Sequence, residues 1–226
     1  MDHDREDLQR VYRNYAEDEK VGRRWSADNA GNRLIIDERL KGAEDRLSRL
    51  GLLNRDLCVL DLGCGAFTLV PESIESSLRI GVDILFDRLI AAKRSSPFDG
   101  VACADGADLP FGDELFDLIV ISTVLSSIRS DAAQSGIGRE VTRTLKPGGS
   151  VLWYDMRYPN PSNRNVHPVT KNDLVRLFPD LRQDLTPITV VPQLARRLGD
   201  RPGLYRAVAR LGIANSHLLG TLTKPV

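Results

Sequence analysis

Cysteine and histidine are scarce in this sequence, with three of each among 226 residues. The cysteines are odd in number and scattered in apolar surroundings: Cys58, Cys64 and Cys103. We interpret them as reduced core thiols, because a disulfide framework needs paired and regularly spaced cysteines. The histidines stand far from them along the chain, and the ligand spacing of a structural zinc site is missing. The sequence therefore predicts no metal site.

Long apolar runs are missing as well. No segment approaches eighteen consecutive apolar residues, so the sequence predicts no transmembrane helix. The first ten residues, MDHDREDLQR, are acidic and polar and lack the basic start and apolar stretch of a secretory signal. These absences, together with reduced cysteines, favour a cytoplasmic protein.

An excess of charge of either sign is also lacking, since 31 basic residues balance 31 acidic ones. A balanced charge and the lack of a basic run interleaved with aromatic residues argue against nucleic acid as a substrate, and against an anionic membrane as a partner. Arginine is locally enriched over residues 196–210. This helix is predicted to be a solvated face that could also attract an anionic acceptor such as a nucleotide sugar.

Short strands and helices alternate along most of the chain. Two helices are predicted first, over 4–24 and 33–50. Strands are then predicted at 57–62, 78–83, 100–104, 116–122, 149–155, 184–191 and 215–222. Helices are predicted near 66–76, 86–95, 130–145, 170–178 and 193–211. The segment LKPGGS, residues 145–150, indicates a helix end followed by a glycine turn into a strand.

This alternation predicts the α/β class, with a Rossmann-like, seven-stranded, mostly parallel sheet and helices on both faces. The nearly continuous apolar strands at 116–122 and 150–154 are typical of strands buried on both faces. We expect an N-terminal helical cap or lid over residues 1–50 and one main domain over 51–226. Segments 155–169 and 192–214 are candidate insertions that build an acceptor site.

A glycine turn follows the first predicted strand, in the stretch VLDLGCGAF at residues 59–67. In open α/β sheets ligands bind beyond the carboxyl ends of the strands. Gly63 and Gly65 would let a ligand approach the backbone, and Asp61 could accept a hydrogen bond from a ligand ammonium group. Thr68 stands where a dinucleotide fingerprint needs its third glycine. The turn therefore favours a zwitterionic or cationic ligand over a pyrophosphate.

Acidic residues also end the next two predicted strands. Asp83 closes the second strand, where a carboxylate can accept both hydroxyls of an adenosine ribose. Asp105 follows the third strand and could receive the exocyclic amine of adenine, while Ala107 and Leu109 pack on the ring. The ligand that these side chains describe has a ribose, a purine and a positive charge.

Five stretches in order, VLDLGCGAF, GVDI, ADGADLPF, FDLIVISTVLSSI and LKPGGSVLWYD, resemble the class I methyltransferases that use S-adenosylmethionine, of the methyltransferase type 11 kind. The resemblance covers roughly residues 57–155. It implies S-adenosylmethionine as the cofactor, with the methionine part at the glycine turn, the ribose at the second strand and the adenine at the third. The cofactor-binding residues that it implies are Asp61, Gly63, Cys64, Gly65, Asp83, Ile84, Asp105, Gly106, Ala107 and Ser122.

A narrower likeness involves TVLSSI, WYDMRYPNPSNRNV and SHLLGTLTKP, residues 123–128, 153–166 and 216–225. These stretches look like a bacterial subgroup associated with sugar, cell-envelope or secondary-metabolite pathways. One departure from the broad class matters. Many relatives carry histidine in the loop after the fourth strand, where Ser127 stands here, so a histidine base at that place is not implied.

The acceptor site is predicted from the cap and from the loop after the fifth strand. In the cap, Tyr15, Trp25 and Asn32 are the candidates for acceptor contacts, with packing of the N-terminal helices as the simpler alternative for the aromatic residues. Ser127 and Arg157 are further candidates. His167 is the candidate general base, because histidine is a common general base in enzymes and this one lies in a polar loop; a plain surface position is the alternative.

We therefore expect methyl transfer from S-adenosylmethionine to a small-molecule acceptor, at oxygen, by proximity and in-line displacement. The sequence also allows a protein as the methyl acceptor. It allows either a monomer or a homodimer. One alternative is a non-catalytic binding protein or partner subunit with the same fold. A nicotinamide-dependent oxidoreductase is disfavoured by Thr68 and by the lack of a Tyr-x-x-x-Lys pair.

Overall fold

The computed structural model describes residues 28–65, 69–95, 98–159 and 165–226. Over these residues the chain forms six α-helices, one short 3-10 helix and seven strands. The helices are α1 (Ala30–Arg49), α2 (Phe86–Ser95), α3 (Asp131–Thr144), α4 (Lys171–Leu177), α5 (Pro192–Arg197) and α6 (Pro202–Leu211). The strands are β1 (Leu57–Leu62), β2 (Ser76–Asp83), β3 (Gly100–Cys103), β4 (Phe116–Ser122), β5 (Leu145–Met156), β6 (Arg182–Val190) and β7 (Asn215–Thr223). The 3-10 helix spans Leu125–Ser127.

The strands form one sheet in the order β3-β2-β1-β4-β5-β7-β6. Strands β1 to β5 pair in parallel, and β7 runs antiparallel between β5 and β6. Helices cover both faces, so the predicted Rossmann-like, mostly parallel α/β class is confirmed. The carboxyl ends of β1, β2, β3, β4 and β5 meet at one edge, and the strand order reverses between β1 and β4. The glycine turn lies at that reversal point, where ligands bind in such sheets.

Two apolar cores lie on the two sides of the sheet. On one side, Ile119 and Trp153 pack against α3 and α4. On the other side, Val120 and Tyr154 pack against α1, whose Ala43 is fully buried. Successive residues of a strand point to opposite faces, so the continuous apolar runs in β4 and β5 are needed to fill both cores.

Helix α1 begins earlier than the sequence pattern predicts. Asn29 is its N-cap, and its side-chain oxygen accepts hydrogen bonds from the amides of Gly31 (2.9 Å) and Asn32 (3.2 Å). The sequence predicts a start at residue 33, because Asn29, Gly31 and Asn32 are residue types that also favour turns. Asparagine is both a turn residue and a preferred N-cap, so the same signal marked the start of the helix.

The helix predicted over 66–76 is absent from the described part of that range, 69–75, which is an irregular segment leading into β2. Pro71 explains the error, because proline has no amide hydrogen for a helix interior and restricts the residue before it. The Ile74 amide instead donates to the Pro71 carbonyl in a turn (3.1 Å). Leu69, Val70 and Ile74 still reach the core on the α1 side.

The helical stretch predicted over 193–211 is two helices. Helix α5 ends at Arg197, and α6 starts at Pro202. Gly199 packs directly against the start of α1, where a Cβ atom would lie 2.7 Å from the Gly31 amide nitrogen. Proline then suits the first turn of the new helix, because that turn needs no amide donor. The break brings α5 into close contact with α1.

The α1–α5 contact predicts a stability effect at Gly31. A Cβ atom on Gly31 would lie 2.3 Å from the Ala195 carbonyl oxygen and 2.5 Å from the Arg196 Cα. Because both atoms belong to the backbone, the helices must separate to admit alanine. We expect Gly31→Ala to lower the free energy of unfolding by about 1–3 kcal/mol, the usual cost of overpacking. Urea unfolding measures it. Gly203→Ala is the matched control, since its Cβ atom would meet nothing within 4 Å; equal losses in both variants would contradict the prediction.

Candidate functional site

The glycine turn after β1 is held by backbone geometry that side chains disfavour. Gly63 and Gly65 have φ angles of +70° and +46°. A Cβ atom on Gly63 would lie 2.4 Å from Val124 Cγ2, in the segment that follows β4. The amides of Gly63 and Cys64 both donate to the Val82 carbonyl of β2, at 2.7 and 3.0 Å. These two amides are therefore used inside the fold, and the space where side chains at Gly63 and Gly65 would lie is filled by Val124 and by the Arg88 guanidinium. Thr68 lies outside the described residues.

Asp83 connects the end of β2 to this turn. Its Oδ2 accepts the Gly65 amide at 3.1 Å, and its Oδ1 accepts the Leu85 amide at 2.9 Å. Arg88 of α2 places Nε 3.5 Å from the same carboxylate. A carboxylate can accept about four hydrogen bonds. The Asp83 carboxylate can therefore still accept hydrogen bonds from ligand hydroxyls. The predicted neighbours Asp83 and Gly65 are thus in direct contact.

Asp61 lies at the centre of the same edge. It pairs with Val120 of β4 and Gly81 of β2, and only 2% of it is exposed. The Asp61 and Asp83 carboxylates both act on Cys64: burial first, then these two charges, raise the pKa of its thiol to about 12. The structure therefore brings Asp61, Asp83 and the glycine turn together, as predicted from their order in the sequence.

The Cys64 side chain itself points away from the turn. It is buried with Leu89, Ala92 and the half-buried Phe98 between the sheet and α2. A thiol with so high a pKa stays protonated at neutral pH and is a poor nucleophile. The predicted cofactor contact at Cys64 can therefore come only from its backbone.

The loop after β3 carries the predicted adenine residues. Asp105 accepts the Ala107 amide on Oδ1 at 2.9 Å, which closes a tight turn. Gly106 fits closely under α3, because a Cβ atom there would lie 3.2 Å from Ile137 Cγ1. Ile84, half-buried, follows Asp83 on the neighbouring strand and accepts a bond from the Cys103 thiol. The loop thus stands at the same sheet edge, next to the end of β2.

An ion pair on α3 fixes the far half of this loop. Glu140 accepts the Leu109 amide at 2.8 Å and binds Arg143 through both carboxylate oxygens, at 2.9 and 2.6 Å. Arg143 also donates to the Leu109 and Phe111 carbonyls. These hydrogen bonds lower the pKa of Glu140, so the pair is ionised at neutral pH. The sequence pattern gave no sign of this pair, because its residues lie on a helix 30 positions away from the loop.

The end of β4 has a strained backbone. Thr123 has a φ angle of +56°, which a β-branched residue rarely adopts. Its amide donates to the Tyr154 carbonyl of β5 at 2.8 Å, and its hydroxyl donates to the Ser122 carbonyl at 2.7 Å. Such strain collects at functional sites, where the surrounding structure holds it in place. The Ser122 hydroxyl accepts a hydrogen bond from Arg39 of α1 at 3.4 Å.

The residues predicted for the acceptor side are placed only in part, and one of them, Asn32, is used inside the fold. Asn32 is 2% exposed, and its side-chain oxygen accepts Arg196 Nε at 3.2 Å across the α1–α5 contact. The side-chain amide of Asn32 therefore connects α1 to α5. This role argues against a contact between Asn32 and the methyl acceptor. Arg157 donates to the Tyr158 hydroxyl and lies over that ring, 4.3 Å from its centroid. Tyr15 and Trp25 fall outside the described residues.

Ser127 and His167 lie beside the end of β4. Ser127 belongs to the 3-10 helix, and its hydroxyl donates to the Thr123 carbonyl at 3.4 Å. The His167 amide donates to the Ser126 carbonyl at 2.8 Å, which ties the loop after β5 to this helix, while its side chain is exposed. Both residues are near the strained Thr123, and their roles stay predictions.

Comparisons with known proteins agree with this geometry. Residues 60–153 match the family model described as a methyltransferase domain. A demethylmenaquinone methyltransferase of Mycobacterium tuberculosis (strain ATCC 25618 / H37Rv) is 28% identical over 151 residues, covering 67% of this chain and 56% of that protein. One from Corynebacterium urealyticum is 33% identical over 152 residues, covering 64% and 63%. The match thus spans little more than half of the length of these relatives.

A solved structure gives the same fold. The N-methyltransferase NodS from Bradyrhizobium japonicum, in complex with S-adenosyl-L-homocysteine, superposes with a TM-score of 0.62 at 17% identity, covering 88% of this chain and 90% of that one. The chain thus has the fold of the S-adenosylmethionine-dependent methyltransferases, and its residues 60–153 match a methyltransferase domain.

The donor set also fits the cofactor of the class. Two carboxylates and a cradle that only glycine can form lie at one sheet edge, suited to a ligand that has hydroxyls and positive charge. No group of three or more possible metal ligands is found within the described ranges, and none of the helices described there is long and apolar enough to cross a bilayer.

A second polar cluster in this methyltransferase was missed by the sequence analysis. Arg39 lies over the Tyr154 ring, with Cζ 4.2 Å from the centroid, and the His217 ring stacks on the same tyrosine at 4.8 Å. The Tyr154 hydroxyl meets Thr189 Oγ1 at 3.1 Å, and Thr189 has a φ angle of +66°. We call Arg39, Tyr154, Thr189 and His217 the arginine–tyrosine cluster. Its members come from α1, β5, β6 and β7, so no local motif could have revealed it.

Asp155, the next residue on β5, points to the other side of the sheet. It is fully buried, and its carboxylate accepts the amides of Ser126 (3.1 Å) and Met156 (2.8 Å). Burial raises the pKa of Asp155 to about 6, although these hydrogen bonds oppose the shift. The carboxylate orients the 3-10 helix that carries Ser127.

His217 predicts a pH-dependent stability for this methyltransferase. Burial, with the Arg39 charge adding to it, lowers the pKa of His217 to about 3, whereas an unfolded histidine titrates near 6.5. Between these values the unfolded chain binds a proton that the folded chain does not, so stability falls as pH falls. At pH 5 the loss from His217 is about 2 kcal/mol relative to pH 7.

The test compares the protein with His217→Phe by urea unfolding at pH 7 and pH 5. Phenylalanine can still stack on Tyr154 but takes up no proton, so the variant should lose about 2 kcal/mol less between the two pH values. The raised pKa of Asp155 acts in the opposite direction, since its protonation below pH 6 favours the folded state. That contribution is common to both proteins and cancels in the difference. Equal losses would contradict the prediction.

Proposed function

We propose that this protein transfers a methyl group from S-adenosylmethionine to a small-molecule acceptor in the cytoplasm, at an acceptor oxygen. The direct contact between Asp83 and the Gly65 amide supports the proposal, because a carboxylate joined to the glycine turn at the reversal point of the sheet is suited to accept ribose hydroxyls. The predicted biosynthetic setting in sugar, cell-envelope or secondary metabolism goes with the narrower likeness and is part of the proposal.

The cofactor-binding residues are proposed as predicted, with two changes. Asp61, Gly63, Gly65, Asp83 and Ile84 would contact the methionine and ribose parts, and Asp105, Gly106 and Ala107 the adenine. Cys64 would contribute only its backbone. Ser122 would face the reacting end, together with the strained Thr123 beside it.

We place the acceptor over the ends of β4 and β5, beside Arg39. This arginine reaches Ser122 at the end of β4 and stacks on Tyr154 of β5, so its charge lies at the reacting edge of the sheet. The predicted cap, residues 1–50, and main domain, residues 51–226, fit this arrangement, because α1 of the cap supplies the arginine. Segments 155–169 and 192–214 would complete the site.

The cofactor supplies a methyl group on a positively charged sulfur. In the reaction an acceptor oxygen forms a bond to the methyl carbon, the carbon–sulfur bond breaks, and the acceptor hydroxyl proton passes to solvent. Arg39 would stabilise the acceptor as an oxyanion, because a nearby positive charge lowers the pKa of a hydroxyl. Holding the two reactants in line contributes roughly 7–11 kcal/mol to catalysis. With Arg39 in this role, no strong base is needed. General-base catalysis by His167 is the alternative, and a pH–rate profile would distinguish the two mechanisms.

A second candidate acceptor is an aromatic quinol methylated at a ring carbon. The names of the curated relatives, demethylmenaquinone methyltransferases, favour it. Here a carbon–carbon bond would form and a ring proton would leave. Arg39 would hold the same kind of oxyanion, on a ring oxygen. Mass spectrometry of the methylated product, with deuterium at the ring position, distinguishes the two.

Isothermal titration calorimetry with S-adenosylmethionine and S-adenosylhomocysteine tests the proposal first. We expect both to bind. If neither binds, the proposed function is wrong. If both bind but no methyl transfer to a panel of phenols, quinols, sugars and carboxylic acids is found, the non-catalytic alternative gains support.

A further inference from the structure

Helix α6 and its flanks carry exposed apolar side chains next to exposed arginines. Leu204, Leu211 and Ile213 are 46%, 71% and 84% exposed. Arg201, Arg206 and Arg210 are also exposed. We call these six residues the α6 face. Large apolar side chains that stay in water on one short segment indicate a surface that another body covers.

Helix α6 has one side buried against the protein and one side exposed to solvent. Tyr205, Val208 and Ala209 pack into a small core with Ile35 of α1 and Val190 of β6. Leu204 and Leu211, two turns apart, share one outward flank, and Arg206 and Arg210, one turn apart, share the other. A helix with an apolar stripe beside an arginine row is the arrangement that lies in the plane of a membrane surface.

The balanced charge of the whole chain argued against an anionic membrane as a partner, but positive charge is concentrated on this segment. Residues 191–213 contain five arginines and one aspartate, while the whole chain has 31 basic and 31 acidic residues. Arginines of this density attract anionic lipid headgroups, at about 1 kcal/mol each near the surface, or on the order of fivefold in affinity. A second copy of the chain fits less well, because a twofold contact would bring the two sets of arginines together.

The α6 face lies at the functional edge of the sheet. Helices α5 and α6 connect the carboxyl end of β6 to the start of β7, and β7 begins beside the carboxyl end of β5, with His217 opposite Met156. The carboxyl ends of β1, β2 and β4 are at that same edge. A membrane bound to the α6 face would therefore lie at this edge of the sheet, on the side of β7 and β6 where the arginine–tyrosine cluster has two of its residues, and four strands away from the glycine turn after β1.

We propose that the α6 face docks the protein on the surface of an anionic lipid bilayer, with the leucines and the isoleucine in the headgroup boundary and the arginines on the lipid phosphates. This proposal goes beyond the proposed methyl transfer. One consequence rests on that function: the site edge would face the bilayer, so a lipid-soluble acceptor could enter from it.

Vesicle flotation tests the docking without cofactor or acceptor. We expect the full chain to float with vesicles of equal parts phosphatidylcholine and phosphatidylglycerol and to stay behind with phosphatidylcholine alone. Arg206→Gln/Arg210→Gln should weaken binding on the order of thirtyfold, and 0.5 M NaCl should weaken it further. Leu211→Ser/Ile213→Ser should weaken binding by a similar factor, because the apolar contribution is lost.

The matched control is Val175→Ser/Arg182→Gln, which changes one exposed apolar residue and one exposed arginine near the opposite edge of the sheet. It should bind as the unchanged protein does. The proposal is overturned if the protein ignores anionic vesicles, or if the control weakens binding as much as the α6 variants do. A dimer in light scattering that Leu211→Ser/Ile213→Ser abolishes would assign the α6 face to a second copy instead. Each outcome is independent of cofactor binding, so failure here leaves the methyl-transfer proposal standing.

Discussion

Asp83→Ala abolishes measurable binding of S-adenosylmethionine and S-adenosylhomocysteine, if the proposed function is right. The carboxylate would accept both ribose hydroxyls, and hydrogen bonds to a charged group contribute about 1.5–3 kcal/mol each. Losing two of them corresponds to a fall in affinity on the order of 10²–10⁴-fold. Calorimetry at micromolar protein should then give no heat above dilution.

Asp83 also accepts the Gly65 and Leu85 amides, so its removal can loosen the turn by itself. Asp83→Asn is the companion variant, because it keeps the shape and one acceptor oxygen but lacks the charge. It should bind the cofactor weakly rather than not at all. Asp87→Asn, at an exposed position one turn further along the chain, is the control and should bind normally. If Asp83→Ala unfolds at the same temperature as the unchanged protein and still binds the cofactor, the assignment of the ribose site is wrong.

Arg39→Gln lowers the rate of methyl transfer on the order of 10²-fold while leaving cofactor affinity within about twofold. The first figure follows from removing one preorganised charge beside a developing or bound oxyanion. The second follows from position, since Arg39 contacts Ser122 of β4 and Tyr154 of β5, whereas the ribose is proposed to bind at the end of β2. S-adenosylhomocysteine release, with catechol and 1,4-naphthohydroquinone as probe acceptors, measures the rate.

The pH dependence separates oxyanion stabilisation from a packing role. At high pH the acceptor hydroxyl ionises without help, so the deficit of Arg39→Gln should shrink as pH rises toward the pKa of the acceptor. Arg39→Lys keeps the charge and should retain an intermediate rate. Lys41→Gln removes a positive charge from the exposed side of the same helix and should be neutral. A deficit that stays constant with pH, or one shared by Lys41→Gln, would contradict the role of Arg39.

The α1 contacts explain why loss of Arg39 should be tolerated by the fold. Helix α1 is anchored by Ala43 and Leu47, both fully buried, and by the close approach of Gly31 to α5. Glu38, its neighbour, accepts the Tyr205 hydroxyl at 2.6 Å and so ties α1 to α6. Burial raises the pKa of Glu38 in spite of that hydrogen bond. The helix therefore keeps its place without Arg39, and the variant reports on the site.

Local signals in the sequence were enough to place the residues that we propose to bind the cofactor. The apolar runs of β1 and β4 predicted buried parallel strands, and their bounds agree with the structure because continuous apolar sequence fits no exposed element. Asp61, Asp83 and the two glycines could be placed at one edge from sequence order alone, because parallel strands bring their carboxyl ends together. After the turn, the helical spacing of apolar residues predicted a helix over 66–76. That prediction was wrong, because Pro71 prevents a regular helix there.

Only the tertiary structure revealed the arginine–tyrosine cluster, beside which we place the acceptor. Arg39, Tyr154, Thr189 and His217 lie on four elements that are far apart in sequence, and the antiparallel return of β7 between β5 and β6 is what places His217 on Tyr154. The same return puts α6 at the cofactor edge. A sequence pattern shows which face of one helix or strand is apolar. Contacts between elements depend on strand order and helix packing, which are fixed only when the complete hydrophobic core is formed.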